Sequence, residues 1–303
     1  MKTSRSLAPP GAWCAFAFVI FFLSAHFASA QTSTPEIPSK PQATPTPSLR
    51  KKLLVNILND QRVIWTSPFH LHSRDTKWIL TLGLTTASLI ATDRRTSGEL
   101  VEHGDNLARL RISKDISQLG SLYALGGIAG GFYLTGHVSN NVRARETGLL
   151  TTEALVDSLL VVEALKKISQ RQRPPVDHSS GEFFEGGNSF PSGHAINTWS
   201  VATVISREYG EHRPLVRFAV YAVATAVSVS RFTGRKHFLS DVLVGSAMGY
   251  GIGRYVYQER HDRLLNSETK IKTNALQSKL IPRITPLYSS RAHAYGAMLK
   301  WNF

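Results

Sequence analysis

The sequence has almost no cysteine. Its 303 residues include a single one, Cys14, which lies inside an apolar run near the N-terminus. If that run is removed, the mature chain has no thiol, which excludes disulfides, a cysteine nucleophile and thiolate metal sites. A cysteine-free chain also suits an oxidising compartment.

Long apolar runs are scarce as well, and no strand-like alternation occurs between residues 50 and 257. A bilayer span needs about 20 apolar residues, and only Ile116–Val138 clearly meets this length. Without alternation, a β or α/β fold is not expected. The apolar segments instead predict an all-α fold, a compact bundle of about six core helices. These helices are expected near 77–92, 116–138, 147–167, 194–208, 214–230 and 238–257, after an amphipathic helix over 49–66.

Acidic residues are fewer than basic ones, 21 against 35, and the formal net charge is +14. A basic chain favours anionic partners, which include nucleic acid, anionic lipid and phosphorylated substrates. Charge alone leaves these alternatives open, because basic residues occur in every segment of the chain.

The first 48 residues indicate export. Residues 1–30 have a basic start, an apolar region and a small-residue cleavage site, which together predict a signal peptide. An uncleaved anchor helix is the alternative. Residues 31–48 are rich in proline and polar residues and form a predicted linker. We therefore expect an exported, periplasmic protein, either soluble or membrane-associated, with an integral membrane form left open.

The remaining chain divides into a helical domain over 49–257 and a basic tail over 258–303. Two short apolar segments of the tail predict a β-hairpin appendage. In the helical domain, glycines recur at four-residue steps in two places. Such steps predict close helix–helix approach. The first set is Gly126, Gly127, Gly130 and Gly131, and the second is Gly245, Gly249 and Gly253.

Three clusters of polar residues interrupt the apolar helices. The first holds Lys166 and Arg173, and the third holds Arg231. A lysine supplies a point charge, and an arginine supplies a planar fork that matches two phosphate oxygens. The fold could therefore gather three cations around a phosphate. The nearby bases Lys167, Arg171, Arg235 and Lys236 are interpreted as a solvated face.

The second cluster, Pro191–His194, precedes an apolar helix. Free N–H groups at a helix start bind anions, and Gly193 permits a close approach. The same residues also suit a simple helix-capping turn. In the third cluster, His237 and Asp241 are four residues apart and share a helix face. A carboxylate on one ring nitrogen would fix the tautomer and leave the other nitrogen free to attack.

Taken together, the ordered clusters resemble the signature of the type 2 phosphatidic acid phosphatase superfamily, which includes acid phosphatases, lipid phosphatases and vanadium haloperoxidases. The resemblance covers about a quarter of the chain, and the flanking helices extend it through Tyr257. It implies that His237 attacks phosphorus, that Asp241 orients His237, and that His194 acts as general acid and base. The implied phosphate-binding residues are Lys166, Arg173, Ser192, Gly193 and Arg231.

The resemblance implies a phosphohistidine intermediate, no metal or other cofactor, and a phosphorylated, lipid-linked substrate. Together with the basic charge, it predicts an anionic membrane surface as a partner and no nucleic acid. One alternative is a vanadium-dependent haloperoxidase, in which vanadate would be the cofactor instead of an inhibitor. Others are a soluble nonspecific acid phosphatase and a non-catalytic envelope protein. The loop over 175–189 either gates the site or is a solvated loop with two packed phenylalanines.

Overall fold

The computed structural model describes residues 49–67, 76–102, 107–174, 181–280, 283–289 and 294–300. The predicted signal peptide and linker lie outside these residues. The chain forms two compact units, 1–256 and 257–303.

The described part of the first unit is helical, as predicted, and contains no strand. Apolar residues at helical spacing account for the central helices, which bury apolar side chains against their neighbours. The helices are α1 (Leu49–Thr66), α2 (Thr76–Glu102), α3 (Leu107–Gln118), α4 (Leu122–Val138), α5 (Val142–Ser169), α6 (Gly193–Tyr209), α7 (Pro214–Thr233) and α8 (Leu239–Leu280).

The predicted helix over 116–138 is wrong, because the chain turns inside it. Helix α3 ends at Gln118 and α4 begins at Leu122, where the Ser121 hydroxyl accepts a hydrogen bond from the Ala124 N–H. A capping serine favours a new helix start over continuation. The Ile116–Val138 run is therefore not one span.

Helix α6 lies in the middle of the bundle. It packs against α5 and α7, while α4 packs on α5, α3 on α7, and α1 on α5. The largest core cluster joins α4, α5, α6 and α7 through small and branched apolar side chains. Its buried members are Leu125, Leu155, Val201, Ala202, Ile205, Tyr209, Val220 and Ala224.

The two glycine sets differ in what they contact. A Cβ added at Gly249 would lie 2.2 Å from the Ile196 carbonyl oxygen, and one at Gly253 would lie 2.4 Å from that of Ser200. The second set therefore lets α8 approach the α6 backbone, as predicted. In the first set, no close approach is seen at Gly126, Gly127 or Gly130, because an added Cβ there would meet nothing within 4 Å.

Helix α1 docks on α5 through polar groups. The Gln61 amide donates to an Asp157 carboxylate oxygen at 2.9 Å, and the Tyr255 hydroxyl donates to Asp60 at 3.1 Å. Asp157 is fully buried. Burial raises the pKa of Asp157 to about 7, with Asp60 adding to the rise and Gln61 opposing it.

By length and composition, one helix in the described residues, α7, could cross a membrane, with a mean hydropathy of 1.4. The core helix of a soluble protein also meets this criterion. In the second unit, α8 continues to Leu280, past its predicted end at residue 257, and the strands β1 (Arg283–Ser289) and β2 (Ala294–Lys300) follow. Residues 290–293, where a turn would lie, are outside the described residues. The hairpin therefore stays a prediction.

Candidate active site

The three polar clusters meet at the start of α6. The Ser192 N–H donates to the Asp241 carbonyl at 3.1 Å, and the His237 N–H donates to the Arg231 carbonyl at 3.3 Å. A Cβ added at Gly193 would lie 3.6 Å from Lys166 Nζ. The ends of α5 and α7 and the beginnings of α6 and α8 therefore converge on one place.

Ser192 is the residue before the first turn of α6, but its side chain makes no capping hydrogen bond. The hydroxyl is fully buried and has no partner among the described residues. An unsatisfied buried hydroxyl costs about 1–3 kcal/mol, which a bound acceptor would recover. The capping-turn interpretation of this serine therefore does not hold for its side chain.

The three expected cations surround this point. Lys166 pairs with Glu163 at 3.0 Å, and Arg173 Nε donates to Asn188 Oδ1 at 2.8 Å. Arg231 Nη1 donates to the Ser117 hydroxyl, while its Nε is buried with no partner among the described residues. Burial, together with the charge of Arg173, lowers the pKa of Arg231 to about 10. Partly buried cations that repel one another form a site that favours an anion.

His194 is the second residue of α6, is half-buried and lies among these cations. Burial, together with the charges of Arg231, His237, Lys166 and Arg173, lowers the pKa of His194 to about 3. The turn between α3 and α4 packs beside it, since a Cβ at Gly120 would lie 3.4 Å from the imidazole Cδ2. These surroundings therefore favour the neutral form of His194.

His237 is buried, and its Nδ1 lies 2.8 Å from the Ser189 carbonyl oxygen. A carbonyl can only accept, so Nδ1 carries the proton and Nε2 presents its lone pair. The direct hydrogen bond expected from Asp241 is absent, since Nδ1 and Oδ2 are 3.6 Å apart. Burial lowers the pKa of His237, although Asp241 opposes this.

Asp241 instead organises the start of α8. Its Oδ2 accepts from the Ser189 hydroxyl at 2.5 Å and from the Phe238 N–H at 3.0 Å, which satisfies a free amide of the helix start. Its Oδ1 accepts from Arg171 Nη1 at 2.6 Å. Burial alone raises the pKa of Asp241, but His237, Arg171 and Ser189 together hold it below its usual range.

The interpretation of Arg171 as part of a solvated basic face is wrong, because its side chain is only 1% exposed. The guanidinium lies between the rings of Phe183 and Phe238, at 4.8 and 4.4 Å from their centroids. Its Nη2 donates to Asp93 Oδ2 at 2.8 Å. Asp93 was not singled out from sequence, and no local pattern links residues 78 positions apart.

The loop after Arg173 is described from residue 181 onward, so Asp177 and His178 lie outside the described residues. Phe183 packs edge-on against Phe190 at 5.7 Å, whereas Phe184 is exposed. One of the two predicted phenylalanines is therefore packed.

Comparison with known proteins places these residues in a wider group. Residues 147–264 match the family model described as the PAP2 superfamily. The chain is 40% identical over 70 residues to lipid A 1-phosphatase of Porphyromonas gingivalis, covering 23% of this chain and 16% of that protein. It is 32% identical over 112 residues to phosphatidylglycerophosphatase B of Bacillus subtilis, covering 34% and 52%.

The chain thus spans about a sixth of the first of these relatives and about half of the second. Among solved structures, it is similar to a transmembrane PAP2 type phosphatidylglycerolphosphate phosphatase from Bacillus subtilis. The identity is 22% and the TM-score 0.48, and the match covers 60% of this chain and 96% of that one.

Proposed function

We propose that the chain is a phosphoric ester hydrolase that acts on lipid-linked phosphate. The chain belongs to the PAP2 superfamily, whose family model matches residues 147–264. The substrate is a monoester or a diphosphate. The family assignment predicted from the three clusters is confirmed by the match, while the activity and the residue roles are the proposal.

One observation carries the proposal. The Ser192 hydroxyl is buried at a helix start and has no partner among the described residues. Lys166 lies close to the same helix start. His237, in the tautomer that leaves Nε2 unprotonated, belongs to the same site. Helix-start amides and cations neutralise the charge on phosphoryl oxygens during transfer. Most buried hydroxyls are satisfied within the fold, so this one is available to donate a hydrogen bond to a bound phosphoryl oxygen.

In the first step, the His237 Nε2 lone pair forms a bond to phosphorus as the bond from phosphorus to the leaving oxygen breaks. Lys166, Arg173, Arg231, Ser192 and the Gly193 amide hold the other phosphoryl oxygens. Protonated His194 gives its proton to the leaving alkoxide. The products of this step are a free alcohol and phosphohistidine.

In the second step, neutral His194 takes a proton from water as the water oxygen attacks phosphorus. The bond between phosphorus and Nε2 breaks, and inorganic phosphate leaves. The sequence of steps uses no metal ion. The lipid part of the proposal is supported by the names of two relatives, both phosphatases of lipid phosphates.

We further propose an exported, membrane-associated enzyme with a periplasmic site. Large apolar side chains on α2 and α4 are unusually exposed for a soluble bundle, among them Trp78 at 79% and Tyr123 at 94%. An alkaline carbonate wash of cell membranes tests this, because recovery of the chain in the supernatant would contradict firm membrane association.

The activity is tested by phosphate release from phosphatidic acid, phosphatidylglycerol phosphate, an isoprenyl diphosphate and a soluble ester. His237→Ala should abolish release, by a factor of roughly 10⁴ or more. His212→Ala is the matched control, because His212 is exposed. Labelled phosphate should be trapped on the wild-type chain after alkaline quenching and be absent from His237→Ala. Normal turnover by His237→Ala would refute the assigned nucleophile.

A further inference from the structure

We propose that Arg171 and Asp93 form a buried clamp, connecting α2 to the start of α8, that positions Asp241 and through it the His237 nucleophile. The proposal rests on the proposed function for its kinetic consequences. Both residues are positioning residues, since their partners are protein groups.

Arg171 has its donors directed at the protein. Nε donates to the Gly181 carbonyl at 2.9 Å, and Nη1 donates to both the Ser240 hydroxyl at 2.7 Å and Asp241 Oδ1 at 2.6 Å. Nη2 donates to Asp93 at 2.8 Å. With two aromatic rings covering the guanidinium faces, this arginine is not placed to hold a phosphate.

Asp93 attaches α2 to the start of α8, and α2 otherwise buries little against the bundle. Among residues 76–99, Asp93 is the one buried residue. Its carboxylate accepts from the Ser240 N–H at 3.3 Å and from the Ser240 hydroxyl, at the first turn of α8. An anion is stabilised at a helix N-terminus. The docking of α2 is therefore concentrated where α8 begins.

The clamp reaches the nucleophile through two further contacts. Asp241 accepts from the Ser189 hydroxyl, and the Ser189 carbonyl accepts from His237 Nδ1. A shift of Asp241 is thereby transmitted to the imidazole. Displacement of a reacting group by about 1 Å can cost 100-fold in rate, so a small movement of α2 would change turnover.

Charge gives the clamp an independent signature. One cation, Arg171, lies between two carboxylates, Asp93 and Asp241. The other charged or titratable groups acting on His237 and its neighbour His194 are Arg173 and Arg231, with Lys166 acting on His194. Removing Asp93 frees the Arg171 charge to act on Asp241 and His237, whereas removing Arg171 leaves two uncompensated carboxylates. The two changes should move the His237 titration in opposite directions.

The test compares Asp93→Asn and Arg171→Gln with Lys167→Met, an exposed cation on the last turn of α5. For both clamp variants we expect kcat to fall roughly 10- to 100-fold. KM should stay within about threefold, since Lys166, Arg173 and Arg231 are unchanged. The acid limb of the kcat/KM profile should move to lower pH in Asp93→Asn and to higher pH in Arg171→Gln. Lys167→Met should match the wild type.

An NMR titration of the His237 ring, assigned with His237→Gln, follows the same shifts without turnover. A wild-type chain that releases no phosphate would therefore count against the proposed function alone. Folded Asp93→Asn with wild-type kcat and an unshifted His237 titration would overturn the clamp. If Arg171→Gln does not fold, Asp93→Asn still decides, because its shape matches the wild type and its predicted shift has a definite sign.

Discussion

Binding of an anion should cause His194 to take up a proton, and this proton uptake can be measured without knowing the substrate. Burial and the surrounding cations lower the pKa of His194 from 6.5 to about 3. At pH 5.5 such a group is well under about 1% protonated. A general acid must hold a proton, so binding of the phosphate has to raise the pKa of His194.

The magnitude follows from the charges. A fall from 6.5 to about 3 corresponds to about 4.8 kcal/mol of preference for the neutral ring. A dianion about 5 Å away contributes about 7 kcal/mol in the opposite sense at an effective dielectric constant of 20. The second contribution is the larger, so binding should return the pKa of His194 at least to its ordinary value, and His194 should take up about 0.9 proton or more at pH 5.5.

Sulfate is the probe of choice, because it is a tetrahedral dianion that does not itself titrate near pH 5.5. Isothermal titration calorimetry in buffers of different ionisation enthalpy measures the proton uptake directly. His194→Gln should lose at least half of the uptake, and His237, which faces the same anion, should supply the rest. Sulfate binding with no buffer-dependent heat, or with uptake unchanged in His194→Gln, would refute this account of the general acid.

Two predictions concern stability. The pKa of Asp157 is raised to about 7 in the folded state, so the folded state keeps a proton that the unfolded state loses above about pH 4. Between about pH 4 and pH 7 the free energy of unfolding therefore falls by at most about 1.4 kcal/mol per pH unit. Asp157→Asn, which retains an acceptor for Gln61, should therefore raise Tm at pH 8 and give no gain at pH 4; equal effects at both pH values would contradict the raised pKa. Gly249→Ala should lower Tm by several degrees because its Cβ would meet the Ile196 carbonyl, while the matched change Gly126→Ala should add up to about 1 kcal/mol. A destabilising Gly126→Ala would show that α4 is covered by a partner.

Much of the helical fold and the residues of the candidate site could be predicted from the sequence, since both depend on local spacing. Apolar periodicity located most of the core helices. Lys166, His194 and His237 stood out because charged and titratable groups are rare within apolar helices. The break at Gly120–Ser121 was missed because the residues on both sides are apolar, and the capping contact that ends the run is a single hydroxyl.

The contacts that support His237 could not be predicted, because they depend on pairs far apart in the chain. Arg171 lies in a basic stretch and has the same appearance as Lys167, yet one is buried and the other exposed. They differ because Arg171 pairs with the carboxylate of Asp93, and a single sequence does not show that these two residues lie close together. The His237 partner was also missed, because a backbone carbonyl, here that of Ser189, leaves no mark in residue identity.

Asp93, Ser117 and Gly120 all lie upstream of residue 147, where the match to the family model begins. Each nevertheless contacts a part of the site: Asp93 contacts Arg171, Ser117 contacts Arg231, and Gly120 packs against His194. The region that the family model matches is thus shorter than the unit that must fold together for the site to form. A fragment cut at residue 147 would retain every signature residue, but Arg231 and His194 would lose these contacts, and so would Arg171, which binds Asp241.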